Sequence, residues 1–291
     1  QTNRPGASRP ERVPPERRGW IFPALSIFLM YGNYGYHPAM ASELHPETSV
    51  CGALREPLAF WQFRRAAGHA DAGRVAGIRD IERITFTTRD GRQLGGYKLG
   101  SVAPAGYLLV AQGNAMLADR IVRELQYFRD QGYDVYLYDY RGYGLSGGKS
   151  RLAAIVADYR EIVADLNARP YRRRLLYGMS MGGIILLNAA GASSEYSALV
   201  VDSSPGRISP YGCPEIYDPV NHLPADSSRI MILGGGRDRV VRMAEVEDLM
   251  RVAQSRGAQV VRRRELAHPF QDATRDRHRS RFHAGADFLA R

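Results

Sequence analysis

Cysteine is scarce in this chain of 291 residues: Cys51 and Cys213 are the only two, far apart and without CxxC spacing. That excludes a cysteine-rich zinc site and a disulfide-dense scaffold, and leaves at most one bridge, formed if the protein is exported. Lysine is equally scarce. Lys98 and Lys149 are the only two, so the formal net charge of +10 comes almost wholly from arginine. Arginines cluster at 172–174, at 262–264 and at Arg275, Arg277, Arg279 and Arg281. No zinc-finger, RRM-like or helix-turn-helix pattern accompanies that charge, so it reads as a preferred surface cation and no nucleic-acid partner is expected. A GxxxxGK[ST] phosphate loop is absent. The apolar stretch from Trp20 to Tyr31 is interrupted by Pro23 and is shorter than the roughly 20 residues of a membrane-spanning helix. An apolar content of 44% and a charged content of 24% suit an ordinary globular chain, long enough for one large α/β domain.

What is present divides at about residue 80. Residues 1–19 are rich in Pro, Arg and Glu and read as an extended arm. Residues 20–31 are expected to pack on the main core, to cover an apolar acyl pocket, or to dip into a membrane interface. The turn-rich stretch 32–57 reads as irregular, and 58–69 as a short helix. The chain starts at Gln1 without methionine, as expected of a processed product. Residues 1–80 thus form an N-terminal extension to a domain over 81–291.

From Ile81 the pattern is regular. Alternation over 81–88, the turn Arg89-Asp90-Gly91-Arg92 and a return over 93–99 predict a hairpin. Apolar strands are expected at 106–111, 134–138, 173–177, 198–201, 230–233 and 259–265. Helices are expected at 119–131, 151–168, after Gly182, at 243–256 and at 274–290. The alternation predicts an α/β fold: a mostly parallel, twisted sheet of about eight strands with helices on both faces. Residues 205–228 carry five prolines and no clear period, so any lid is minimal.

Reactive residues of such a sheet sit in loops after strands. Gly178-Met179-Ser180-Met181-Gly182 falls at a strand-to-helix junction, where a tight turn exposes a serine. Ser180 needs a base to take its proton. Of the seven histidines, His268 alone directly follows the last strand. His222 is the rival, while His278 and His283 are expected to be solvated within the Arg-rich final helix. Asp238, after the 230–233 strand, is expected to orient the imidazole; Asp202 is the alternative acid. The oxyanion donors are expected at Met181 and in the loop Gln112-Gly113-Asn114 after the first parallel strand, with Gly113 allowing close approach and Asn114 donating. Gln112 and Met179 are expected to border the substrate. Asp139 and Ser146 are expected to brace the loop 139–148 by hydrogen bonds.

Together, Gln112-Gly113-Asn114-Ala115, the stretch Tyr138 to Gly148, Gly178 to Gly183, Gly236-Arg237-Asp238 and His268 resemble the α/β-hydrolase superfamily over about residues 81–291. The order Ser, Asp, His is the α/β-hydrolase order. The combination is similar to the group with a His-Gly-Asn oxyanion motif, which includes bacterial esterases and membrane-anchored serine hydrolases, some of them depalmitoylases. Gln112 departs from that histidine, and Ala267-His268-Pro269 departs from the residues usual around the base.

The resemblance implies a serine hydrolase cleaving a carboxylic ester or thioester through an acyl-enzyme, with no cofactor and no metal. The alternatives are a catalytically silent binding protein of the same fold and a membrane-associated amidase or peptidase-like hydrolase. The expected substrate is a small molecule or acyl chain. Membrane-surface contact would run through the N-terminal segment and the arginine clusters, and export to the cell envelope is favoured over the cytoplasm.

Overall fold

Five residues, 88–92, close the hairpin that opens the sheet, the Gly91 N–H donating to the Thr88 carbonyl at 2.8 Å, with β1 (Ile81–Thr87) antiparallel to β2 (Gln93–Leu99). Gly91 takes φ +79°, which an L side chain would resist. The computed structural model describes residues 47–193 and 195–291; the expectations for the arm at 1–19 and the apolar stretch at 20–31 lie outside them. The remaining strands are β3 (Gly106–Ala111), β4 (Tyr133–Tyr138), β5 (Arg173–Met179), β6 (Ala198–Asp202), β7 (Ile230–Gly235) and β8 (Gln259–Arg263). They form one sheet in the order β1-β2-β4-β3-β5-β6-β7-β8. β2 runs antiparallel to both its neighbours, and every pairing from β4 to β8 is parallel.

The strands β3 to β7 are largely apolar, with charged residues only at or near the ends of β4, β5 and β6, because both faces of the sheet are covered. On one face Leu109, Leu176, Leu199 and Ile232 meet α4 (Leu152–Asn167), α5 (Met181–Leu186) and α6 (Met243–Ser255). On the other, Leu108, Leu175, Val200 and Met231 meet the short helices α2 (Ala118–Ile121) and α3 (Gln126–Asp130) and the last helix, α7 (Arg275–Leu289). In α4 the residues Leu152, Ile155, Val156, Tyr159, Ile162, Val163 and Leu166 are buried, one stripe at helical spacing.

The single helix expected over 119–131 is instead broken: a 3₁₀ turn, Val122–Leu125, separates α2 from α3. Long-range anchors outweigh the local period here. Asp119 is buried and accepts from the Asp71 N–H at 2.6 Å and from Arg74 at 2.9 Å.

The segment before the sheet is bound to it. A helix forms over Arg55–Ala67 (α1), in place of the expected 58–69, and Phe60 and Cys51 join the core on the α4 face. Cys51 and Cys213 form a disulfide across a separation of 162 residues. The buried Glu56 carboxylate accepts from the main-chain N–H of Cys51 and of Leu152, each at 2.7 Å, so it caps α4 from a distant segment. Between β6 and β7, residues 203–229 contain only 3₁₀ turns, at Ser209–Tyr211, Glu215–Tyr217 and Pro219–His222. Among the described residues, no helical lid is inserted between β6 and β7.

Candidate active site

Ser180 stands between β5 and α5 with φ +53° and ψ −117°. Five described non-glycine residues have positive φ, and four of them (Ala115, Ser180, Ser203 and Phe270) lie in the loops after β3, β5, β6 and β8. Such strain persists only where surrounding bonds impose it. At Ser180 they do: its N–H donates to the Asp202 carbonyl at 2.8 Å, and its own carbonyl accepts from Ser204 Oγ at 2.7 Å. The flanking glycines are sterically required. A Cβ on Gly178 would come within 2.6 Å of the Gly182 carbonyl oxygen, and one on Gly182 would overlap the Ala111 carbonyl oxygen.

His268 and Asp238 meet although 30 residues separate them in sequence: His268 Nδ1 lies 2.8 Å from Asp238 Oδ2, and both residues are buried. A carboxylate only accepts, so Nδ1 carries the hydrogen and Nε2 is left with its lone pair. Asp238 Oδ1 accepts from the N–H groups of Val240 (2.8 Å) and Val241 (2.9 Å), which fixes the carboxylate plane. The two loops touch because Gly235 has no side chain: a Cβ there would stand 2.5 Å from the Leu266 carbonyl oxygen. Asp202, the alternative acid, is turned elsewhere, its carboxylate engaged by Arg281, Ser203 and Tyr177. His222 is bonded to the Ile216 carbonyl at 2.7 Å.

The loop after β3 comes up beside the serine. A Cβ on Gly113 would be 3.6 Å from Ser180 Cβ. Asn114 Oδ1 accepts from the Ala115 N–H (2.9 Å) and from the Tyr143 hydroxyl (2.6 Å), so the side chain braces the loop. The Tyr140 hydroxyl donates to the Gln112 carbonyl. Burial holds the Tyr143 hydroxyl well above the ordinary phenol range, which keeps it a donor. Met181 is the first residue of α5, where the main-chain N–H has no partner within the helix.

Two expectations are corrected. Met179 is fully buried and belongs to the core on the α7 face, because alternation along β5 points it away from the loops. Gln112 is also fully buried, and its amide atoms have no partner among the described residues. Neither borders an open site. A third correction concerns α7. His278 is buried against Phe270 and Phe282, with ring centroids at 4.5 and 4.9 Å, and Arg281 is fully buried. His283 is exposed and stacks on Tyr127.

The loop 139–148 is braced as expected. Asp139 accepts from the N–H groups of Ala118 (2.7 Å) and Leu145 (2.9 Å), and Ser146 Oγ donates to the Asp139 carbonyl at 2.7 Å. Burial pushes the Asp139 carboxyl up to about 6. Sequence reasoning passed over Tyr140, Tyr143, Ser204, Asp272 and Arg281. A tyrosine or serine in a loop carries no signal of the hydrogen bond it will make, and Arg281 sits among arginines that do face water. Among the described residues, no three of His, Cys, Asp and Glu group as a metal site would require.

A family model described as serine aminopeptidase, S33 matches residues 102–218. The monoacylglycerol lipase of Mycolicibacterium smegmatis is 38% identical over 104 residues, 34% of this chain and 37% of the lipase, so the match spans little more than a third of that relative. An uncharacterised Escherichia coli protein, YfhR, is 26% identical over 199 residues, 60% of this chain and 68% of its own. Among solved structures, the Pyrococcus furiosus esterase superposes with a TM-score of 0.59 at 18% identity, covering 72% of this chain and 91% of the esterase. A lidless α/β serine hydrolase of Xanthomonas campestris gives a TM-score of 0.56 at 19% identity, covering 72% of this chain and 94% of its own. With the sheet order, the Gly-x-Ser-x-Gly turn after β5 and these matches together, the chain has the α/β-hydrolase fold.

Proposed function

We propose that this hydrolase cleaves a carboxylic ester or thioester through an acyl-enzyme, with Ser180 as nucleophile, His268 as base and Asp238 as the orienting acid. The buried hydrogen bond from His268 Nδ1 to Asp238 Oδ2 at 2.8 Å carries the reading. It leaves Nε2 able to take the Ser180 proton as Oγ adds to the carbonyl carbon. The main-chain N–H groups of Met181 and Asn114 receive the negative oxygen of the tetrahedral intermediate, with Gly113 giving room for the approach. Collapse breaks the bond to the leaving group, which departs with the proton held by His268. Water then repeats the sequence on the acyl-enzyme and frees Ser180 and the acid product.

An ester is favoured over a peptide N-terminus by charge. Arg237, Arg239, Arg242 and Arg264 are exposed on and beside the loops that carry Asp238 and His268. An aminopeptidase must attract a cationic α-amino group, and this rim repels one. The lipase and esterase names of the relatives point the same way. The test is a series of p-nitrophenyl esters of rising acyl length, beside an acyl-CoA and an aminoacyl anilide, on wild type and Ser180→Ala. Turnover of the esters or the thioester, abolished by Ser180→Ala, supports the reading. Turnover of the anilide alone contradicts it, and no turnover of any favours a silent binding protein.

A second reading concerns location. Three of the five large apolar side chains exposed among the described residues, Leu54 (87%), Leu58 (51%) and Trp61 (50%), lie at helical spacing along one outer face at and in α1. Exposed Arg64 and Arg65 follow, with the Arg65 guanidinium 5.7 Å from the Trp61 ring. Leucine and tryptophan with arginine on one helix suit an anionic lipid surface. We propose that α1 brings the hydrolase to such a surface, in an oxidising compartment that keeps the Cys51–Cys213 bond formed. Among the described residues no helix is long and apolar enough to cross a membrane.

A further inference from the structure

Arg281 is the one member of the α7 arginine series that is both fully buried and turned toward the reacting loops. Its guanidinium binds the Asp202 carboxylate and donates to the Ala267 carbonyl, and it lies 3.2 Å from Ser203 Oγ and 3.3 Å from Asp272 Oδ2. Asp272 Oδ1 accepts the Ala267 N–H at 2.8 Å. Both polar main-chain groups of the residue before His268 are therefore held by one buried ion pair. On the other side, the carbonyl of Asp202 accepts the N–H of Ser180. A continuous path runs from Ser180 N–H to Asp202, from its carboxylate to Arg281, and from Arg281 to Ala267 and His268.

We propose that Arg281 is a positioning residue that holds the nucleophile turn and the base loop in one mutual register. The inference rests on the reading that Ser180 and His268 react together. Stability alone does not account for the arrangement, since a buried guanidinium between carboxylates is often matched or bettered by apolar packing. What apolar packing lacks is direction. The planar fork of arginine sets the angle between its acceptors, and here those acceptors belong to the end of β6 with the residue after it and to the loop after β8. The other bonds of the base loop run to the acid loop, from Arg237 N–H to the Leu266 carbonyl at 2.9 Å and from His268 to Asp238, or stay local, such as Gln271 N–H to the His268 carbonyl at 2.8 Å, and the chain kinks at Phe270 with φ +65°.

The experiment compares Arg281→Lys with Arg129→Lys in the full-length protein, using a short-chain p-nitrophenyl ester well below the thermal midpoints. Arg129 is also buried and paired, with Asp130 at 2.7 Å and Asp80 at 3.4 Å, but it sits at the end of α3, remote from the reacting loops. Lysine keeps the charge and loses the fork. Misplacement of the base predicts that kcat falls roughly 10-fold or more in Arg281→Lys with KM within about twofold, while Arg129→Lys keeps kcat within about twofold. In an Asp238→Asn background, where the imidazole is already misoriented, Arg281→Lys costs little more, because both changes act through His268. A kcat within about twofold of wild type, or losses that multiply in the double variant, overturns the proposal. Where Arg281→Lys fails to fold, Asp272→Asn replaces it, and an unchanged kcat there is equally fatal. The Ser180→Ala control separates the two claims. If it stays active, the reading of the site falls and the proposal with it; if it is dead while Arg281→Lys is unimpaired, only the coupling falls.

Discussion

Gly182 faces the carbonyl oxygen of Ala111 with no room for a β-carbon between them, and a Cβ there would also stand 2.9 Å from the Gln112 carbonyl oxygen. The serine turn thus rests directly on the strand that ends in the Gln112-Gly113-Asn114 loop. Gly182→Ala must push the two apart. We expect kcat to fall by about 100-fold or more, the scale of an ångström's misplacement, with secondary structure retained by circular dichroism. A folded Gly182→Ala protein with wild-type turnover would show that this packing does not set the site.

The Cys51–Cys213 bridge joins the segment before α1 to the loop between β6 and β7. Closing a loop of that length restricts the unfolded chain, and its loss is expected to cost roughly 2–5 kcal/mol. Thermal unfolding with and without reductant checks this. The midpoint of wild type should drop under reductant, whereas Cys213→Ser should start low and show no further change.

Asp139 gives the pH dependence. Its ordinary value is 3.8 and burial raises it to about 6 in the fold. Between those values the folded state binds more protons than the unfolded one, so stability falls as pH rises from about 4 to about 6 and then levels. The contribution is on the order of 3 kcal/mol. Asp90 acts oppositely and lower down: the hydrogen bond from Arg141 holds it at about 2, so its support is lost as pH falls from about 4 toward 2. Denaturant titrations from pH 4 to 7 should show the upper slope in wild type, reduced in Asp139→Asn. An equal slope in both would assign it to other groups.

The α1 stripe predicts lipid binding. Leu58→Ser with Trp61→Ser should cut co-sedimentation with vesicles containing phosphatidylglycerol by several-fold without lowering the thermal midpoint. Salt should weaken wild-type binding without removing it, because screening acts on the arginines and leaves the apolar contact. Equal binding by the variant would move the contact away from α1.

Much of the sheet was legible because parallel strands leave long apolar runs, and β3 needs only its six residues to be recognised. Ser180, Asp238 and His268 were legible as candidates because each follows such a run. What sequence could not supply is direction around a residue. Arg281 and Arg279 differ by two positions in one arginine-rich stretch, yet Arg281 is fully buried and Arg279 is exposed. His278 looked solvated for the same reason. Met179 sits beside the serine in sequence and points into the opposite core, a consequence of strand alternation at its own position. The break between α2 and α3 comes from Asp71 and Arg74, some fifty residues upstream, which no local period can register.

The central claim is that Ser180 is activated by the His268–Asp238 pair. Labelling with a fluorophosphonate probe tests it most directly, with the modified residue located by peptide mass spectrometry. The account predicts stoichiometric modification of Ser180 in the folded wild type, none in Ser180→Ala, and greatly slowed reaction in His268→Ala. Labelling that persists undiminished in Ser180→Ala, or a folded wild type that does not react at all, would contradict it.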